Sequence, residues 1–436
     1  MYPDFRYLIE GLFGVDAPEW LSIFKTFGLF VALAFLAAAY VLTKDLRRKE
    51  KMGLMLPEIS VVEVGKPASA NELLWSAILG FILGYKVGGF FNHWQEISPN
   101  PMGYIFSLQG NILGGIVGAL LLAYMKYSEK KKEQLPEPKQ QRVAIYPHHR
   151  ITEFVVLAMV AGLAGAKIFN ALETWEDFLR NPVQNLISSS GLTFYGGLIT
   201  ATVAISLYAR KHKIPITHLS DSFAPALMLA YGIGRLGCQF AGDGDWGIFN
   251  SAYVTATDGS LRAALASEFT SALHQDTWYL TSLTNQFGSV AAIPHLHTPA
   301  PGWLPDWLFA MNYPHNVNNE GMPLAGCIGE YCRVLPVGVY PTPMYEAVVC
   351  TGLFFLLWWL RKKVKHALHL TGIYLILNGL ERFFVEKIRV NYQYDWGFVH
   401  PTQAEIISAV FVLIGIAILV FYRQPIEPKP VVKQEV

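Results

Sequence analysis

The sequence predicts an all-α polytopic membrane protein with about nine transmembrane helices and a large outer-face loop domain. Three observations predict it. Of the 436 residues, 52% are hydrophobic and only 15% charged, against about 25% charged in ordinary soluble domains. Nine stretches are apolar and long enough for spans, at residues 21–42, 73–91, 105–127, 151–169, 192–208, 219–240, 345–360, 368–388 and 406–422; a helix of about 20 residues crosses the hydrocarbon. Finally, segments 43–70, 126–150, 210–213, 361–365 and 423–436 hold 23 of the 34 Lys and Arg. The segments between them are poor in both.

That alternation sets the expected orientation, because cytoplasmic loops collect positive charge. Residues 1–20 are read as an outer segment. They hold Asp4, Glu10, Asp16 and Glu19 against Arg6, the reverse of a cleavable signal's basic start, so the first span is expected to be an anchor. Residues 21–127 carry three spans and 128–150 form a cytoplasmic linker. Spans four to six occupy 151–240, an outer block 241–344, and spans seven to nine 345–422. The Pro- and Lys-rich tail, 423–436, is expected inside and disordered.

A weak duplication runs through the first half. Gly84-Tyr-Lys86 leads to Gly110-Asn-Ile-Leu-Gly114-Gly115, and Gly165-Ala-Lys167 leads to Gly191-Leu-Thr-Phe-Tyr-Gly196-Gly197. Each copy covers two spans, so both copies share one orientation. That is a parallel repeat, without the inverted symmetry of many secondary carriers. Lys86 and Lys167 recur near span ends, where snorkelling is the expected role.

The outer block is rich in Trp, Tyr, Pro and His, and lacks a long apolar run. Residues 303–313, with Trp303, Trp307 and Tyr313, read either as an interfacial strip at headgroup level or as an ordinary packed loop. Cys238 and Cys350 near span ends are expected to be inert apolar thiols. Cys327 and Cys332 lie in the outer block, where an oxidising compartment permits a disulfide. Zinc and haem spacings, phosphate loops and dinucleotide fingerprints are all missing. Hence no metal, organic cofactor or nucleic acid is expected as a ligand.

The charged residues at outer span ends carry the chemistry. Arg235 ends an apolar run, where an unpartnered arginine costs about 2.5–3.5 kcal/mol by insertion scales. It is either paired or snorkelling for structural reasons, or a planar fork for a phosphate. The glycines on both sides allow close approach of a headgroup. Gln239, Asp243 and Asp245 follow in a Gly-rich turn. Arg382 precedes Glu386 by four residues and Arg389 by seven, on one helical face; an internal ion pair competes there with a second phosphate contact. Glu346 opens the seventh span, and a carboxylate entering the membrane is a functional candidate, as base or as charge balance.

Five stretches in order resemble the prolipoprotein diacylglyceryl transferase family: Gly191-Leu-Thr-Phe-Tyr-Gly-Gly-Leu-Ile199, Asp221-Ser-Phe-Ala-Pro-Ala226, Gly234-Arg-Leu-Gly237, Pro341-Thr-Pro-Met-Tyr-Glu346 and Glu381-Arg-Phe-Phe-Val-Glu386. The resemblance covers about residues 21–42 and 151–422. It implies a multi-pass bacterial inner-membrane enzyme with its active site toward the periplasm. Its reaction moves diacylglyceryl from phosphatidylglycerol to the lipobox cysteine thiol of a prolipoprotein signal peptide, releasing glycerol phosphate, as the first step of lipoprotein maturation. Arg235 matches the arginine that holds the phospholipid, Arg382 the second essential arginine, and Glu346 the carboxylate of its motif. Tyr195 stands where most members carry His, and Phe27 where a tyrosine is usual.

The catalytic set expected on this reading is Arg235, Arg382, Glu346, Tyr195 and Asp243. Substrate contacts are expected from Arg235, Arg382, Gly196, Gly197, Gln239, Asp245 and Glu386, with membrane lipids around the protein. A thiol of pKa about 8.5 needs a base at neutral pH. Tyr195, with an ordinary value near 10, is given a hydrogen-bonding role, leaving Glu346 or an aspartate of the turn as base. The rival readings are a phospholipid-binding transporter and a non-catalytic membrane scaffold.

Overall fold

The structure is a computed structural model that describes residues 1–92, 104, 107–187, 191, 193–391, 394 and 397–427. The predicted start of the third span at 105, and the tail beyond 427, lie outside the described residues.

Among the described residues, nine helices have 18 residues or more: α1 (Thr26–Lys51), α2 (Ala70–Asn92), α3 (Ile112–Glu133), α4 (Ile151–Glu173), α5 (Phe194–Lys211), α6 (Ile216–Ala241), α7 (Thr342–Leu360), α8 (His369–Glu386) and α9 (Gln403–Phe421). Each carries one of the predicted stretches. Six of them are long and apolar enough to cross a membrane: α1 to α4, α7 and α9. The other three are α5, which opens on Tyr195-Gly-Gly, α6 with Asp221 and Arg235, and α8 with Glu381, Arg382 and Glu386. The helices that fall short on apolarity are those that carry most of the candidate chemistry.

The structure is mostly helical, and among the described residues eight short strands accompany the helices. Strand β1 (Glu58–Val64) pairs antiparallel with β2 (Lys139–Ile145), Glu58 facing Ile145, so the predicted linker 128–150 is partly a strand. In the predicted loop domain, β3 (Phe249–Thr255) pairs antiparallel with β4 (Leu261–Ala263) and β8 (Val337–Val339), and parallel with β5 (His295–Leu296). Strands β6 (Met322–Pro323) and β7 (Arg333–Val334) form a separate ribbon.

The described residues divide into two compact units, one of Met1–Asp45 with Thr217–Glu427, the other of Leu46–Ile216. In the second unit, α2 packs on α3 and α4 on α5, as the repeat requires. Both pairs close through glycine: a Cβ on Gly84 would run into the Gly114 carbonyl, and one on Gly197 would lie 2.9 Å from the Gly162 carbonyl. Lys86 does more than snorkel. Its Nζ donates to the carbonyls of Tyr104, Ser107 and Gln109 at 2.5–2.9 Å, and Lys167 donates to that of Asn185 at 3.1 Å. The two copies thus use their lysines alike, to tie down the loop between paired helices.

In the first unit, the segment 241–344 has its own apolar core, built from Phe249, Val254, Phe269, Leu273, Tyr313 and Val337 among others. Each such side chain contributes roughly 1.5–3 kcal/mol on full burial. Tyr313 is therefore core, whereas Trp303 and Trp307 of the same predicted strip are 81% and 50% exposed. Cys327 and Cys332 are joined in a disulfide, while Cys238 and Cys350 are free and buried. Helix α9 starts on a capping box, Thr402 with Glu405. Helix α8 starts on Asp221 of α6, which accepts the Leu368 and Thr371 amides at 2.8 and 2.9 Å. Asp221 thus caps α8 from within α6.

Candidate active site

Four segments of the first unit deliver the charged residues. Helix α6 brings Arg235, and Gly237 two residues later lets the helix lie close to α1: a Cβ there would be 2.9 Å from that of Phe30 and 3.2 Å from the Phe27 ring. Beyond Ala241, Gly242 and Gly244 take φ of 65° and 90°, values that favour glycine, and the chain folds back with Asp243 and Asp245. Helix α7 opens on Thr342 and Pro343, a residue suited to the first turn, and Thr342 Oγ1 donates to the Asp245 carbonyl at 2.8 Å. Glu346 is therefore fixed one turn into α7. Helix α8 contributes Arg382 and Glu386, then ends. The chain bends so that the Ile248 amide donates to the Ile388 carbonyl at 2.9 Å, and this places Arg389.

These residues form one ion cluster. Glu346 has no solvent exposure. Its Oε2 pairs with Arg235 Nε, and its Oε1 lies 3.1 Å from Arg382 and 3.5 Å from Arg389. Asp245 pairs with Arg235 through one oxygen and with Arg389 at 2.7 Å through the other. Glu386 pairs with Arg382 at 3.1 Å and accepts from Asn391 Nδ2 at 2.7 Å. The Tyr231 ring lies 5.1 Å from the Arg235 guanidinium. Three guanidinium groups thus meet three carboxylates, which is how so many charges can be buried: each loses hydration but gains several partners.

The two acids of the turn differ. Burial pushes Asp245 up, but Arg389 and Arg235 outweigh it and hold the carboxyl below the usual aspartate range. Burial pushes Asp243 above that range, and the neighbouring Asp245 adds to the rise. The Asp243 side chain accepts the Asp245 amide at 3.3 Å, and so stiffens the turn.

Of the residues singled out by sequence, Arg235, Arg382, Glu346, Asp245 and Glu386 come together, with Asp243 beside them. Gln239 lies one turn beyond Arg235, buried, its Oε1 accepting from the Tyr313 hydroxyl at 2.8 Å and its Nε2 3.1 Å from Met311 Sδ. Tyr195, Gly196 and Gly197 belong to the second unit, where the glycines pack α5 on α4. The sequence spacing places Arg389 only on the helical face of Arg382, yet it reaches both Glu346 and Asp245. Its spacing of seven from Arg382 was the available signal; the bend after Glu386 makes the contact.

Three planar cations surround one buried carboxylate, and arginine forks match phosphate in geometry. The model of the family described as prolipoprotein diacylglyceryl transferase matches residues 135–421. A phosphatidylglycerol–prolipoprotein diacylglyceryl transferase of Leptospira interrogans is 23% identical over 418 residues, covering 90% of this chain and 86% of that protein. Enzymes of the same description are 27% identical in Xanthomonas oryzae pv. oryzae, covering 62% of this chain and 76% of that protein, and 27% identical in Stenotrophomonas maltophilia, covering 61% and 72%.

Proposed function

The chain belongs to the prolipoprotein diacylglyceryl transferase family, and from it we propose that Arg235, Arg382 and Arg389 clamp the phosphate of phosphatidylglycerol. The protein is a transferase that moves the diacylglyceryl group from phosphatidylglycerol to a prolipoprotein. The observation that carries the clamp is the seating of Glu346 and Asp245 in three arginine forks.

In the resting protein those carboxylates satisfy the arginines. An incoming phosphodiester competes for the same forks, with Arg235 and Arg389 central because each touches both acids. As the bond between the glyceryl carbon and the phosphate oxygen breaks, the leaving glycerol phosphate gains negative charge. Fixed guanidinium groups aimed at that charge stabilise the transition state more than the bound lipid, which is what accelerates a reaction. The acceptor is the lipobox cysteine thiol. Glu346 and Asp245, held by guanidinium groups, serve mainly as charge balance. Glu386 positions Arg382, and Asp243 supports the turn and has the greater proton affinity of its two acids. Gln239 borders the acceptor's approach.

The charge alternation supports nine spans in the bacterial inner membrane, with residues 241–344 and the clamp facing the periplasm. The disulfide Cys327–Cys332 fits an oxidising side. Complementation tests the function: the chain restores lipoprotein processing in cells depleted of their own transferase, and a well-expressed chain that fails to do so contradicts this reading.

A further inference from the structure

The clamp accounts for the phosphate and leaves open where the thiol proton goes. In the same unit there is a cavity of about 670 Å³ whose lining includes Tyr2, Tyr7, Glu10, Gln239, His315 and Met344. Gln239 is four residues beyond Arg235 on α6, about 6 Å along the axis, and Met344 precedes Glu346 by two on α7. Two of the helices that carry the clamp, α6 and α7, thus also contribute to the cavity's lining.

His315 is the one imidazole in its lining. Its Nδ1 lies 2.7 Å from the Tyr331 carbonyl. A carbonyl only accepts, so Nδ1 carries the proton and Nε2 keeps its lone pair. Among the described residues Nε2 has no partner. The ring is fixed further by Tyr7, with centroids 5.3 Å apart, and Tyr331 belongs to the loop closed by Cys327–Cys332. Burial lowers the imidazole below its ordinary value, which keeps it neutral at pH 7. The other titratable groups around it are the Met1 amine, Tyr2, Tyr7, Glu10 and Tyr331. The acids near the clamp are less suited to the task, since Glu346 and Asp245 sit in arginine forks and Asp243 accepts a backbone amide.

We propose that the cavity receives the acceptor cysteine and that His315 Nε2 is the general base that takes its proton. This rests on the transferase reading above. The S–H bond breaks and the proton moves to Nε2. The thiolate sulfur bonds to the glyceryl carbon as the carbon–oxygen bond to phosphate breaks, its electron pair leaving on glycerol phosphate. The imidazolium then returns its proton to that phosphate or to water.

The test is transfer of labelled diacylglyceryl from phosphatidylglycerol vesicles to a synthetic lipobox peptide by the full chain and its His315→Gln variant, from pH 6.5 to 9.5. A general base contributes about a hundredfold or more, so at neutral pH the variant is expected to lose that much while still binding phosphatidylglycerol. Above the thiol's own pKa of about 8.5 the gap should narrow, because the peptide ionises unaided. A loss of the same size at every pH makes His315 structural and overturns the inference, as does near-full transfer at neutral pH. Asp243→Asn, run alongside, overturns it if that variant alone shows the pH-dependent gap. Arg235→Lys separates the two readings, since full transfer by that protein contradicts the clamp whatever His315 does.

Discussion

The Arg382 guanidinium lies 3.1 Å from the carboxylate of Glu346, a side chain with no solvent exposure. Arg235 and Arg389 reach the same carboxylate. Removing it leaves three cations sharing the two carboxylates of Asp245 and Glu386, and breaking a buried pair from one side costs about 3–5 kcal/mol. Glu346→Ala is therefore expected to melt well below the parent in detergent, and Glu346→Gln less so. An Ala variant with the parent's melting temperature would mean that the arginines are already balanced without Glu346.

Arg389 bridges Asp245 and Glu346 from outside the helix that carries Arg382. If it is the third arm of the clamp, Arg389→Lys keeps the charge and loses the planar fork. Transfer is expected to fall by about tenfold or more, short of the hundredfold typical of a principal electrostatic donor. Initial rates with labelled phosphatidylglycerol check this, and unchanged rates would confine Arg389 to a structural role.

Asp245 makes part of the stability depend on acid. Its folded value is depressed by Arg389 and Arg235, so its contribution is present above the ordinary aspartate value of about 3.9 and is lost as pH falls through the lower folded value. Asp243, raised by burial, has the opposite sign: it destabilises as pH rises past the ordinary value. Melting temperatures between about pH 5 and about pH 3 should fall less steeply for Asp245→Asn than for the parent. Equal slopes would show that another group controls the acid transition.

The orientation follows from charge and is open to a direct check. Reporter fusions placed after Lys132 and within residues 260–330 are expected on opposite sides of the membrane, and mass mapping without reductant should find Cys327 linked to Cys332. Fusions on the same side would require a different set of spans, and would remove the clamp from the periplasmic face.

The long helices were legible because apolar runs of span length leave few alternatives, and the repeat because glycine and lysine recur at matched positions. The strand-bearing block was not. Its strands have two to seven residues, too short for a periodic pattern, and its core is assembled from residues as distant as Phe249 and Val339. At the site, an arginine inside an apolar run announces itself, and so does an acid at a span's first turn. Arg389 was harder to read, because its place depends on a bend after Glu386. His315 was hidden further still, since what distinguishes it is the Tyr331 carbonyl, a backbone atom with no signature in side-chain identity.

The most direct measurement is transfer by purified, folded Arg235→Lys protein, with Arg382→Lys beside it, in detergent with labelled phosphatidylglycerol and a lipobox peptide. A clamp of planar forks requires a loss of about a hundredfold from either change, since lysine offers a point donor to a charge that develops on phosphate oxygens. Near-full transfer by a well-folded Arg235→Lys protein would make Arg235 an ion-pair partner of Glu346 and Asp245 alone, and would contradict the clamp.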